Sequence, residues 1–349
     1  MSSPSSRAPS HPSRWAWPLG LIVTAAFLAW AVHGVDLGEV AAGARRAKLW
    51  LVALAGIVAT LTFPIRTLRW RVLLRDVHEK PFPVAPLWDA TAIGFMANNL
   101  LPARAGEFAR AWVASRRLPV RFSTALASIG VERVFDGLMM LALMAVAIAA
   151  PSFPSHAMVR GTSLSRIATI AAAGFGALLL LSLVVALRPA PWLAMLDRVS
   201  GAVLPSRFAT KLRSAAEGLV AGLAVLKSPT RFVAVVLWSL VLWLVNAAAF
   251  ALCFHAFSLA VPAEGALLLQ GLIGFGVAIP SAPGYWGVFE GATRLTLQFY
   301  GIAAEAALAY AVVFHVVGFI PITLLGLRSL SRAHLRLGDL RSSSHEPAT

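Results

Sequence analysis

Glu132, Arg133 and Asp136 fall within five positions of an otherwise apolar run, VERVFDGLMML. A charge in hydrocarbon is costly, so three together mark either a site or a structural lock. Glu132 and Asp136 are four apart and share a helix face. Two carboxylates on one inward face require a cation: an internal arginine, a lipid amine or a proton. Arg133 points away from that face and can reach a neighbouring element. A transport site and a structural ion-pair network use the same residue types, and both readings stand.

Two further groups sit at breaks in apolar sequence. One segment reads GFMANNLLPARAGEFARA, Gly94 to Ala111; the other reads GFGVAIPSAPGYWGVFEGA, Gly274 to Ala292. Each opens Gly-Phe and places a glycine (Gly106, Gly284) four residues after a proline (Pro102, Pro280). Proline removes a donor and glycine frees the backbone, so neither segment is one straight helix. At membrane depth such breaks persist only where protein or a wet cavity satisfies the freed backbone groups. A pair of them in corresponding halves points to a transporter's binding site.

In the first break, Asn98 and Asn99 can replace missing backbone partners. Arg104 beside the helix start at Gly106-Glu107 offers a phosphate site, or anchors at the membrane surface. Glu107 and Arg110 are three apart and can pair. In the second break, Ser281 can bond freed backbone groups, and Tyr285 and Trp286 suit an interfacial level. Glu290 and Arg294 have the i,i+4 order that favours an ion pair, as a lock or a gate. Arg66 and Arg69 share one face in FPIRTLRWRVLLRD, Arg71 and Arg75 another; either pair binds a headgroup phosphate or follows the basic bias of cytoplasmic ends. Asn246 and His315 are lone polar residues on apolar helices, suited to interhelical hydrogen bonds.

These residues must be positioned by membrane helices. Of 349 residues 58% are hydrophobic and 13% charged, which excludes an ordinary soluble domain. The net charge of +15 reflects basic loops beside membrane spans rather than nucleic-acid binding. The single cysteine, Cys253, excludes an intrachain disulfide. The sequence carries no Walker A loop, HExxH or GxSxG, and no cofactor or metal is expected.

Crossings of about 20 apolar residues fit near Trp17–His33, Leu49–Leu68, Ser123–Ala150, Ile167–Leu187, Phe232–Phe257 and Ala304–Leu327. The expected fold is an all-α polytopic bundle of about six full spans plus two broken re-entrant hairpins, an inverted pseudo-repeat. With a cytoplasmic N-terminus, 23 of the 30 Lys and Arg fall on the cytoplasmic side. Residues 1–16 read as a disordered cytoplasmic leader before a retained anchor helix, 17–330 as the membrane domain and 331–349 as a cytoplasmic tail. Ser206 to Lys227 has the spacing of a helix lying in the interface or packed on the bundle.

Four motifs in order, RTLRWRVLL, NNLLPARAGEFARA, VERVFDG and PSAPGYWGVFEGA, resemble the flippase-like family of the transmembrane region of lysylphosphatidylglycerol synthase. The resemblance runs from about Trp17 to Leu330. It implies a bundle that moves lipids between leaflets, with Arg104, Glu107, Glu132, Arg133, Asp136 and Glu290 lining or bracing the lipid cavity. It implies a bacterial inner membrane protein whose partner is a phospholipid, glycolipid or hopanoid-type lipid, an anionic headgroup among the options. A second copy or envelope-lipid enzymes are further candidate partners; nucleic acid is not. The residues end at Thr349, so a stand-alone member without the aminoacyl-transferase domain is expected. A membrane-embedded transferase and a non-transporting scaffold are the alternatives.

Overall fold

The computed structural model describes residues 16–75, 78–101, 105–154, 158–159, 162–203, 205–277, 282–336 and 338. The chain is helical almost throughout. Its elements are α1 (Ala16–Val32), α2 (Leu37–Arg46), α3 (Leu49–Thr60), α4 (Thr62–Leu73), α5 (Val84–Leu100), α6 (Ala105–Arg117) and α7 (Phe122–Ala149). There follow α8 (Leu164–Leu187), α9 (Pro189–Val203), α10 (Ser206–Gly222), α11 (Pro229–Ala256), α12 (Ala263–Val277), α13 (Val288–Phe299) and α14 (Ala304–Arg332). Met158–Val159 and Thr162–Ser163 form a minimal antiparallel pairing before α8.

Local sequence sets the helix ends. Asp36 caps α2 by accepting from the Gly38 and Glu39 amides at 2.7 and 3.3 Å. Ser228 caps α11, and Pro229 occupies its first position, where a missing N–H costs nothing. Among the described residues, Leu49–Leu73, Pro229–Ala256 and Ala304–Arg332 are long and apolar enough to cross a membrane. A fourth crossing is reached if α1 and α2, bent by 81°, count as one broken span. The expected run of six is thus met only in part. α7 has 28 residues but carries Glu132, Arg133 and Asp136 along it. The anticipated crossing at Trp17–His33 ends at Val32 and turns sharply into α2.

Both breaks fold as helical hairpins. In the first, Gly94 of α5 lies against Gly106 and Arg110 of α6; a methyl on Gly106 would overlap the Gly94 carbonyl oxygen. In the second, Gly276 of α12 faces Val288 and Ala292 of α13, while Gly265 faces Tyr300. The arms have 17, 13, 15 and 12 residues, each short of a full crossing.

The apolar core has two main lobes. One gathers Trp70, Leu87, Ile93, Met96, Ala109 and Phe135 around the first hairpin. The other gathers Phe250, Phe254, Leu269, Leu297, Tyr310 and Phe314 around the second. α10 packs on α7, with Gly218 against Ser123, while Phe208, Leu212 and Leu219 stay exposed on its other sides. The Ser206–Lys227 stretch therefore has both a packed face and an apolar outer face.

Candidate functional site

Between the two hairpins lies a cavity of about 560 Å³. α3, α4, α5, α7, α11, α12, α13 and α14 contribute to its walls, together with the second break. Most of its lining is apolar and aromatic, including Phe63, Phe95, Phe250, Phe289 and Phe319. Its polar lining comprises the charged cluster Arg66, Arg133 and Asp136, the amides Asn98, Asn99, Asn246 and Gln270, and Tyr285 and His315. Apolar walls with a few convergent polar groups are the usual form of a small-molecule site.

The charged side is built on α7. Its four-residue spacing turns Glu132 and Asp136 inward together, at 0 and 3% exposure. The required cations are internal arginines. Arg110 of α6 holds Glu132 through two bonds, at 3.0 and 3.1 Å. Arg69 of α4 holds Asp136 at 2.5 Å and approaches Glu132 at 3.2 Å. Asp136 also accepts from the Trp243 indole at 3.0 Å, and Ser239 accepts from Arg69 at 2.9 Å. Paired and hydrogen-bonded in this way, buried charges are tolerated. Of the three cations the sequence left open, the structure supplies arginine.

Arginines also stack. The Arg110 guanidinium lies 3.9 Å from the centre of the Trp70 ring. Arg66 sits 5.0 Å from Phe95 and 5.2 Å from Trp243. Its only ion pair among the described residues is a long one, 3.9 Å to Asp136, and its Nη1 makes no hydrogen bond. Arg133 bridges Glu132 at 2.6 Å and Asp136 at 3.1 Å, and its Nε stands 4.0 Å from Glu107. Four guanidinium groups thus face two buried carboxylates, with Glu107 at the margin. Arginine stays protonated, so the cavity wall holds an excess of positive charge.

Several sequence expectations change here. Glu107 and Arg110 do not pair; Arg110 turns across to Glu132. Arg133 reaches the first hairpin, as expected, but also bonds both carboxylates of its own helix. Arg66 and Arg69 are not basic loop residues; they are 8 and 0% exposed. Arg294 does not pair with Glu290. Its Nη1 donates to the carbonyls of Trp30, Ala31 and His33 at 2.8, 2.8 and 3.1 Å. It thereby satisfies the orphan carbonyls at the end of α1 and stands apart from the cavity.

The asparagines act largely as expected. Asn98 accepts from the Gly106 amide at 2.9 Å, capping α6 across the break. That occupies one amide of the anticipated phosphate-binding helix start. Asn99 donates to Thr323 at 3.1 Å, tying the first hairpin to α14. Asn246 donates to Gln270 at 3.3 Å, joining α11 to α12. Arg104 lies outside the described residues, as do Pro102, Pro280 and Ser281.

The second break turns on residues with left-handed backbone: Gly284 (φ 72°), Tyr285 (φ 62°) and Gly287 (φ 82°). Glu290 folds back to accept from the Gly287 amide at 2.6 Å. Its other oxygen meets His315 Nδ1 at 2.6 Å, and His315 Nε2 meets the Gly284 carbonyl at 2.8 Å. His315 thus makes the interhelical bonds expected of it.

A helical membrane protein with two broken hairpins around a charged cavity is the class these observations define. The sequence matches the family described as the lysylphosphatidylglycerol synthase TM region over residues 17–326. The chain belongs to that family. It is also similar to a protein named glycosyltransferase AglD from Haloferax volcanii, 33% identical over 129 residues. That match covers 37% of this chain and only 20% of the relative's length.

Proposed function

We propose that this protein carries a membrane lipid with an anionic headgroup between leaflets. The headgroup enters the cavity between the hairpins while the acyl tails remain in the bilayer. The observation that carries the reading is Arg66: a guanidinium in the cavity wall whose ion pairing among the described residues is limited to a 3.9 Å contact with Asp136. A phosphate there would complete its pairing by charge-assisted hydrogen bonds. The same reading makes both hairpins re-entrant, entering from opposite faces of a bacterial inner membrane, with both chain ends cytoplasmic. The distribution of basic residues supports that orientation.

The test uses purified protein in phosphatidylcholine vesicles containing acyl-labelled phosphatidylglycerol or phosphatidylcholine, with outer-leaflet label quenched chemically. Faster exposure of the labelled phosphatidylglycerol, lost in Arg66→Ala, is the expected result. Exposure no faster than in protein-free vesicles overturns the reading. The AglD match favours a second reading, the membrane part of an enzyme acting on a lipid-linked substrate. A changed lipid mass after incubation with donor substrates would select it.

A further inference from the structure

The Glu290–His315 pair has no part in the lipid reading, yet its hydrogen bonds cannot all be made without an extra proton. His315 Nε2 faces a backbone carbonyl, the Gly284 oxygen at 2.8 Å. A carbonyl only accepts, so Nε2 must carry hydrogen. Nδ1 faces a Glu290 oxygen at 2.6 Å. That contact needs a second proton, on Nδ1 or on the carboxyl. Neutral histidine with ionised glutamate would set two lone pairs against each other at that distance.

The surroundings fit a positive imidazole. Its ring stacks 4.2 Å from Trp286 and lies 4.5 Å from Phe289. It is 9% exposed and borders the cavity, which gives the proton a path. Of the charged groups in that cavity wall, Arg66 stands on α4 and Arg133 and Asp136 on α7. From α5, α11 and α12 come the amides of Asn98, Asn99, Asn246 and Gln270. Tyr285 is the titratable group on the break itself; α1 presents Thr24, and Arg294 is turned to the end of α1.

We infer that Glu290 and His315 form a proton-binding site, and that the bound proton holds the second hairpin's break in the observed shape. Loss of the proton leaves one hydrogen to serve two acceptors. Either the Glu290 contact or the Gly284 contact must then open. Gly284 and Tyr285 are two of the three left-handed residues of the break, so losing the Gly284 bond frees that turn. The proton comes from water and returns to it; no other reactant is needed.

Hydrogen exchange read by mass spectrometry across a pH series tests this on the purified full chain without any lipid assay. In wild type, peptides covering 282–290 lose protection as pH rises, beyond the increase that base catalysis gives every amide. In Glu290→Gln the amide donates to Nδ1 and still accepts from Gly287. Both contacts of a neutral His315 survive, and the excess loss disappears. An unchanged excess in that variant, or none in wild type, overturns the proposal. A second reading of the same protein covers poor folding of the variant: nitrogen-15 histidine resonance, with His315→Gln for assignment. The His315 resonances should move between the two protonation states of the pair across the same pH series that deprotects peptides 282–290. A shift constant over that series overturns the inference. Neither measurement depends on lipid movement, so the carrier reading can fail while this one stands.

Discussion

Arg66 and Arg69 lie three positions apart and have opposite prospects on mutation. Arg69 touches Asp136, Glu132 and Ser239 and is fully buried. Its removal takes the shortest ion-pair contact from Asp136 and one of three arginines from Glu132, an effect of about 3 kcal/mol. Arg69→Ala should therefore unfold at markedly lower temperature in detergent. Arg66→Ala, which gives up one long pairing and its contacts with Phe95 and Trp243, should cost less stability than Arg69→Ala while losing the lipid effect. A larger stability loss in Arg66→Ala than in Arg69→Ala would contradict this assignment. Glu132 and Arg110 share two bonds, so Glu132→Gln and Arg110→Gln should couple by about 1–3 kcal/mol in a double-mutant cycle. Additive losses would mean that the pair does not act as a unit. The carboxylates were legible because their four-residue spacing fixes a shared face. Their arginine partners were not: basic residues near a helix end also satisfy the cytoplasmic bias, and only packing reveals that Arg66 and Arg69 lean inward. A cue lay in the matching spacing, two arginines three apart against two carboxylates four apart.

At the scale of elements, the hairpins were readable because proline and glycine act on the backbone itself. What each side chain then bonded was not. The i,i+4 rule joined Glu290 to Arg294, but Glu290 spends both oxygens on Gly287 and His315. Three orphan carbonyls at the end of α1, far away in sequence, captured Arg294 instead. Close packing of α5 on α6 gives a sharp test. Gly106→Ala should lower the unfolding temperature because its methyl meets the Gly94 carbonyl. Gly174→Ala, with open space around it, should be neutral or gain up to about 1 kcal/mol from helix propensity. Equal behaviour of the two variants would mean that the arms do not touch. Orientation is testable at the exposed hairpin starts, Ala85 and Ala263. Single cysteines there, with Cys253 replaced by Ala, should label from opposite sides of intact cells. Labelling from one side would remove the inverted arrangement.

At the scale of the whole molecule, the cavity lies between two lobes, each centred on its own hairpin. Ties such as Asn99 to Thr323 cross from one hairpin to the helix behind the other. Among the described residues, α1 packs on the second hairpin. Thr24 accepts from Ala282 at 2.9 Å, Phe27 and Trp30 lie against Gly291, and Arg294 closes the helix end. α1 is thus completed by residues made some 258 positions later. Until then its terminal carbonyls lack Arg294 and Phe27 and Trp30 lack Gly291. Nascent chains halted before residue 282 should leave α1 digestible by protease, and a disulfide between cysteines at Thr24 and Ala282 should appear only after α13 has been inserted. Assembly therefore closes on an element made long before its partner, and a defect in α13 will first be visible as a loose α1.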